Sequence, residues 1–148
     1  MITYVVGDAA ALGGIKILAH VVNLKGYWGK GFVMAVEERW PGTKAAYRDF
    51  LANSEHAKLG RIMFCPYNGI VIANMIAQED IARRSNPNPL DYQALESCLG
   101  ELANTANYLQ ASIHMPRIGT GLAGGDWKKI EPLITKYLNK HDVTIYSL

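Results

Sequence analysis

The chain is short of cysteine, of long hydrophobic runs and of net charge, and each shortage closes off a class of protein. Its two cysteines, Cys65 and Cys98, form no Cys-x-x-Cys pair and have no histidine at zinc spacing. Neither a disulfide framework nor a metal site is indicated, and buried free thiols are expected. Apolar stretches such as 70–76 are too short to cross a bilayer, and the N-terminus lacks the charged region and apolar core of a signal peptide. A soluble cytoplasmic protein with no membrane partner is therefore expected. Fifteen Lys and Arg against thirteen Asp and Glu leave a formal charge of +2, too little to attract a polyanion through bulk electrostatics. Phosphate recognition, if present, has to be local.

The 148 residues contain 49% hydrophobic and 19% charged side chains, a balance that buries a core and keeps a polar surface, so one domain spanning 1–148 is expected. Short β-branched runs alternate with longer segments of helical period, without linker, repeat or low-complexity tract. This pattern predicts a three-layer α/β domain. Strands are expected at 2–6, 17–22, 61–65, 70–76, 112–115 and 143–146, forming one mixed six-stranded sheet. Helices are expected at 31–39, 43–52, 91–109 and 127–139, with Asp126 capping the last and Pro132 marking a kink or a later start. The polar stretch 78–89, with Arg83, Arg84, Asn86, Pro87, Asn88 and Pro89, fits neither a helix interior nor a central strand and reads as a loop of functional length.

Two glycine-rich segments stand out. From His20-Val21-Val22-Asn23 the chain leaves an apolar strand, crosses Gly26, Gly29 and Gly31, and enters a helix, gathering bare N–H groups at a positive helix end. The spacing is not that of a Walker A loop, and a ligand-free turn remains the alternative. The second segment, Met115-Pro116-Arg117-Ile118-Gly119-Thr120-Gly121-Leu122-Ala123-Gly124-Gly125-Asp126-Trp127, formally matches G-x-G-x-x-G between strand and helix. Only one further strand follows, leaving no second mononucleotide half, so a Rossmann dehydrogenase is disfavoured. Two such loops at the carboxyl ends of neighbouring strands suit the two sides of a diphosphate.

These two segments, together with Gly7-Asp8 and Ala73-Asn74-Met75-Ile76-Ala77-Gln78, make the whole chain resemble the macrodomain family. The closing Val143-Thr144-Ile145-Tyr146-Ser147-Leu148 resembles the branch of terminal ADP-ribose protein glycohydrolase and ADP-ribose 1''-phosphate phosphatase. The resemblance implies a three-layer α/β/α fold that binds ADP-ribose above a mixed sheet. Asp8, beside Ala9, would accept from the adenine amino group, and Tyr146, beside Leu148, would stack on the base. Asn23 would reach the distal ribose. Trp28, Gly29, Lys30, Gly31 and Phe32, facing Arg117, Gly119, Thr120, Gly121, Leu122, Ala123, Gly124 and Gly125, would wrap the diphosphate and distal ribose. Trp28 and Trp127 would wall the ribose or anchor their loops.

The glycohydrolase uses a lysine and an aspartate where Gln78 and Ala123 stand here, so its amine route is not expected. The phosphatase has a histidine three residues before its strand-end asparagine, the place of His20. His20 is thus the first catalytic candidate, with Asn23 and Asp126 beside it; the alternatives are a hydrogen-bonded core histidine and a helix cap. The functions implied are hydrolysis of a distal-ribose derivative of ADP-ribose (1''-phosphate, or O-acyl), or a non-catalytic reader of free or macromolecule-attached ADP-ribose. No cofactor beyond that ligand is called for, and a monomer is expected.

Overall fold

The computed structural model describes residues 2–6 and 16–147. Its strands are β1 (Ile2–Val6), β2 (Lys16–Asn23), β3 (Ile62–Tyr67), β4 (Ile70–Gln78), β5 (Ser112–Pro116) and β6 (Val143–Ser147). Its helices are α1 (Phe32–Arg39), α2 (Thr43–Asn53), α3 (Tyr92–Leu109) and α4 (Trp127–Leu138). The strands make one 6-stranded sheet in the order β1-β6-β5-β2-β4-β3. All pairings are parallel except β3 with β4. That pair turns on Asn68 and Gly69, both at positive φ (43° and 83°), the conformation a two-residue hairpin needs to match strand twist.

Strand β2 is buried on both faces, and its side-chain alternation divides the core in two. Ile17 and Ala19 pack with Leu95, Leu99 and Leu102 of α3 and with Ile130, Ile134 and Leu138 of α4. Leu18 and Val22 pack with Val36 of α1, Tyr47 of α2, and Trp28 and Trp40. The sheet therefore lies between α1–α2 and α3–α4, the three-layer arrangement expected. Ile130, Ile134 and Leu138 recur every four residues and are all 0% exposed, so truncating any one to alanine should cost about 2–5 kcal/mol. Cys98 also lies in this core, where burial pushes its thiol up to about 12.

Element ends depart from the sequence expectation where polar residues extend a ladder. β2 and β4 run on to Asn23 and Gln78, which pair with each other across a bulge after Val22. Asp91 lies before α3 as its N-cap rather than within it, accepting from Ala94 N at 2.9 Å. Pro132 falls inside α4, which starts after Asp126, so the later-start reading of that proline does not hold. Among the described residues, no helix is long and apolar enough to cross a membrane.

Candidate functional site

The sheet topology fixes where a crevice opens. From the carboxyl end of β2 the chain leaves toward α1, on one face, whereas from the neighbouring β4 and β5 it leaves toward α3 and α4, on the other. Loops that part to opposite faces from adjacent parallel strands leave a gap above the strand ends, the usual ligand position in open α/β sheets. Both glycine-rich segments border this gap. They meet across it: a Cβ placed on Gly31 would lie 3.3 Å from Leu122 Cδ1.

The β2–α1 loop is shaped by side chains beneath it. Asn23, 5% exposed, spends its amide on the chain that follows. Its Oδ1 accepts from Lys25 N and Tyr27 N, each at 3.0 Å, and its Nδ2 donates to Tyr27 O at 2.9 Å. Tyr47 of α2 donates its hydroxyl to Asn23 O and reaches Oδ1 at 3.2 Å, while Arg48 Nε donates to Gly26 O at 2.9 Å. Trp28 plugs the loop into the core, 3% exposed, with its ring against Tyr47 and His20. Gly29, Lys30 and Gly31 are left exposed at the loop's outer edge, and Phe32, half-buried, starts the helix.

His20 lies under this loop. It is 1% exposed, with the Trp28 ring edge-on at 5.6 Å and the Phe32 ring at 5.8 Å. Its register partner on β4 is Asn74, and His20 Nε2 lies 2.6 Å from Asn74 Oδ1. Asn74 Nδ2 is already donating to Met63 O at 3.0 Å, so Oδ1 is the accepting end and Nε2 carries the imidazole proton. Nδ1 is thereby a lone-pair acceptor, and it makes no hydrogen bond among the described residues. Burial pushes the imidazole from 6.5 down to about 4, partly offset by Asn74, so His20 is neutral near pH 7.

The β5–α4 loop is shaped by its own backbone. Gly125 N donates to Gly119 O at 2.7 Å, Gly124 N to Gly121 O at 3.1 Å, and Thr120 Oγ1 to Arg117 O at 2.7 Å. Ala123 is buried and its carbonyl accepts from Leu90 N at 3.1 Å, whereas Gly121 and Leu122 are exposed. Asp126 caps α4 by accepting from Lys128 N at 3.0 Å. Its own N–H is bound by Tyr92 Oη at 2.9 Å, so this residue serves the helix end.

The remaining expected contacts are dispersed. Gln78 is 7% exposed and donates from Nε2 to Asp80 O at 2.8 Å, steadying the start of the β4–α3 loop. Arg117 lies at the β1–β6 side, its guanidinium over the rings of Tyr4 (5.7 Å) and Trp127 (5.3 Å) and its Nε donating to Ser147 Oγ. Tyr146 is half-buried with its hydroxyl 2.9 Å from His114 Nδ1. Asp8, Ala9 and Leu148 lie outside the described residues. Sequence reasoning missed Asn74 and Tyr47 as partners of His20 and Asn23. The available signal was a polar residue in an otherwise apolar strand, which in a buried sheet has to find a polar neighbour.

No family model matches the chain. Its fold superposes on a protein of unknown function from Bacteroides thetaiotaomicron with a TM-score of 0.92 at 40% identity, covering 100% of this chain and 98% of that one. By sequence, the ADP-ribose 1''-phosphate phosphatase of Candida albicans is 26% identical over 163 residues, 95% of this chain and 96% of the yeast protein. A macrodomain protein from Streptomyces coelicolor is 42% identical, with a TM-score of 0.86 over 100% of this chain and 99% of its own. With that identity and that fold sustained end to end, the chain belongs to the macrodomain family.

Proposed function

We propose that this macrodomain binds ADP-ribose derivatives across the two glycine-rich loops and hydrolyses a phosphate ester on the distal ribose. The observation that carries the binding reading is the meeting of those loops above β2 and β5, where Gly29 and Gly121 present backbone with nothing within 4 Å of a Cβ added at either. Bare amides and the start of α1 supply the local positive field that the near-neutral composition lacks. The similarity to a yeast ADP-ribose 1''-phosphate phosphatase over nearly the full length supports the catalytic part.

In that reaction water attacks the phosphorus, the bond between phosphorus and the anomeric oxygen breaks, and inorganic phosphate and ADP-ribose are released. His20 contributes the Nδ1 lone pair, its tautomer held by the Nε2 contact to Asn74, an orienting arrangement typical of catalytic imidazoles. Nδ1 is buried, so a substrate reaches it only if the aromatic side chains around the imidazole, Trp28 and Phe32, give way.

A reader that binds ADP-ribose without turnover is the second reading. It is favoured by the employment of the three catalytic candidates elsewhere: His20 is closed off, Asn23 holds its own loop and Asp126 caps a helix. A phosphorus NMR time course with ADP-ribose 1''-phosphate separates the two. Growth of the inorganic phosphate signal, lost in His20→Ala while the diphosphate signals still shift, is expected. Shifted diphosphate signals with no release would leave the reader, and unperturbed signals would overturn both.

A further inference from the structure

The loop between β4 and α3 is the third wall of the crevice, and neither reading above assigns it a role. It is tied to both glycine loops. At its far end Leu90 N donates to Ala123 O at 3.1 Å, and the backbone of Pro87 and Asn88 lies against Gly124 so closely that a Cβ there would come within 2.9 Å of it. At its near end Arg83 Nη2 reaches Tyr27 Oη at 3.4 Å, and the guanidinium sits 5.8 Å from the centre of the Tyr27 ring. Arg83 and Asn86 exchange two backbone hydrogen bonds, each 3.0 Å, so Arg83 projects from a closed turn rather than a slack segment.

Around Arg83 the loop carries both signs, with Glu79 and Asp80 before it and Arg84 after it. Asp80 is its ion-pair partner, with Nε 3.1 Å from Oδ2 and Nη2 3.3 Å from Oδ1, and the arginine holds the Asp80 carboxyl below its usual range. Lys25 adds a second positive charge near the same carboxylate, and Arg84 follows in the turn. Arg83 remains 49% exposed while so engaged. A guanidinium that is planar, half-exposed and paired with one half-buried carboxylate can exchange that carboxylate for another oxyanion of the same fork geometry.

We propose that Arg83 is the specificity determinant for an anionic substituent on the distal ribose, moving from Asp80 onto a phosphomonoester while Tyr27 keeps it at the rim. The proposal rests on the binding reading above and narrows it to ligands bearing a terminal dianion. Asp80 then acts as the placeholder that keeps the arginine folded over the loop when no such ligand is bound.

The test compares two ligands by calorimetry: ADP-ribose, and an analogue carrying a non-hydrolysable phosphonate at the distal anomeric carbon. Arg83→Ala should weaken the phosphonate by about tenfold or more and ADP-ribose by less than about twofold. Arg83→Lys should restore part of the difference, since a point charge keeps the attraction without the fork. Asp80→Asn, which removes the competing carboxylate, should tighten the phosphonate alone. Equal losses for both ligands in Arg83→Ala would make Arg83 a loop-positioning residue, and no loss for either would remove it from the site; both overturn the proposal. Wild-type protein binding neither ligand would instead overturn the binding reading on which it stands.

Discussion

The two glycine loops present the same kind of surface by opposite means. In the β2–α1 loop the backbone is held by side chains: the Asn23 amide, the Tyr47 hydroxyl, the Arg48 guanidinium and the Trp28 ring. A Cβ on Gly29 would then meet nothing within 4 Å. In the β5–α4 loop the backbone is held mainly by backbone, and the glycines are where chains touch. A Cβ on Gly125 would stand 2.5 Å from both Gly119 O and Leu90 Cδ2, and one on Gly124 would overlap Asn88 Oδ1. Glycine thus has two separable uses here, to let protein pack against itself and to leave room for something else. Gly124 and Gly125 belong to the first use, Gly29 and Gly121 to the second.

Crowding the most tightly packed glycine should have the largest effect. Gly125→Ala forces a methyl into a carbonyl oxygen and Leu90, with Ile130 Cδ1 only 2.9 Å away, and is expected to cost about 3 kcal/mol or more in urea denaturation. A loss below about 0.5 kcal/mol would mean the loop relaxes freely and is not backbone-packed.

The floor under the β2–α1 loop responds to pH. Burial holds His20 at about 4 against 6.5 for an unburied imidazole. Below pH 6.5 the unfolded chain takes up a proton that folded His20 refuses until about pH 4. The folded state therefore keeps its full stability above 6.5 and loses it as pH falls toward 4, by on the order of 3 kcal/mol. His114, also pushed down to about 4 chiefly by burial, titrates in the same window and the same direction. Urea midpoints at pH 7 and pH 4.5 should differ strongly in wild type and less in His20→Gln, where His114 and the lowered Asp80 and Glu96 carboxyls remain. An equal drop in the two proteins would show that His20 is not the buried neutral group described.

Removing the side-chain scaffold sharpens the contrast further. Asn23→Ala leaves the N–H groups of Lys25 and Tyr27 and the Tyr27 carbonyl without their partner and should cost about 1–3 kcal/mol, with amide exchange accelerating in residues 24–31 and unchanged in residues 119–125. Faster exchange in both loops would contradict their independent construction.

Much of this architecture was legible in the sequence. Short β-branched apolar runs located every strand, because strands buried on both faces, such as β2 and β4, read as nearly continuous apolar residues rather than as an alternation. Both glycine segments could be placed at strand-to-helix turns, since glycine, the Asp126 cap and the following helical period agree with one another. The use made of individual side chains was not legible. Asn23 and Gln78 look like ligand-binding residues at strand ends, yet Asn23 meets a hydroxyl 24 positions away and His20 an amide 54 positions away, contacts that follow from register and helix placement rather than spacing. The division of the glycines was equally hidden, because a residue without a side chain carries no pattern, and only the neighbours show whether its missing Cβ matters.

Gly121 is glycine for a ligand and not for the fold. Its surroundings are open and its φ lies outside the left-handed region, so Gly121→Ala should leave thermal stability within about 0.5 kcal/mol of wild type. The decisive measurement is the affinity of folded Gly121→Ala for ADP-ribose by calorimetry, beside its melting temperature. An unchanged melting temperature and a loss of about tenfold or more in affinity are expected. Wild-type affinity in the folded variant would contradict that role for Gly121, and would place the ligand away from the crevice between the two loops.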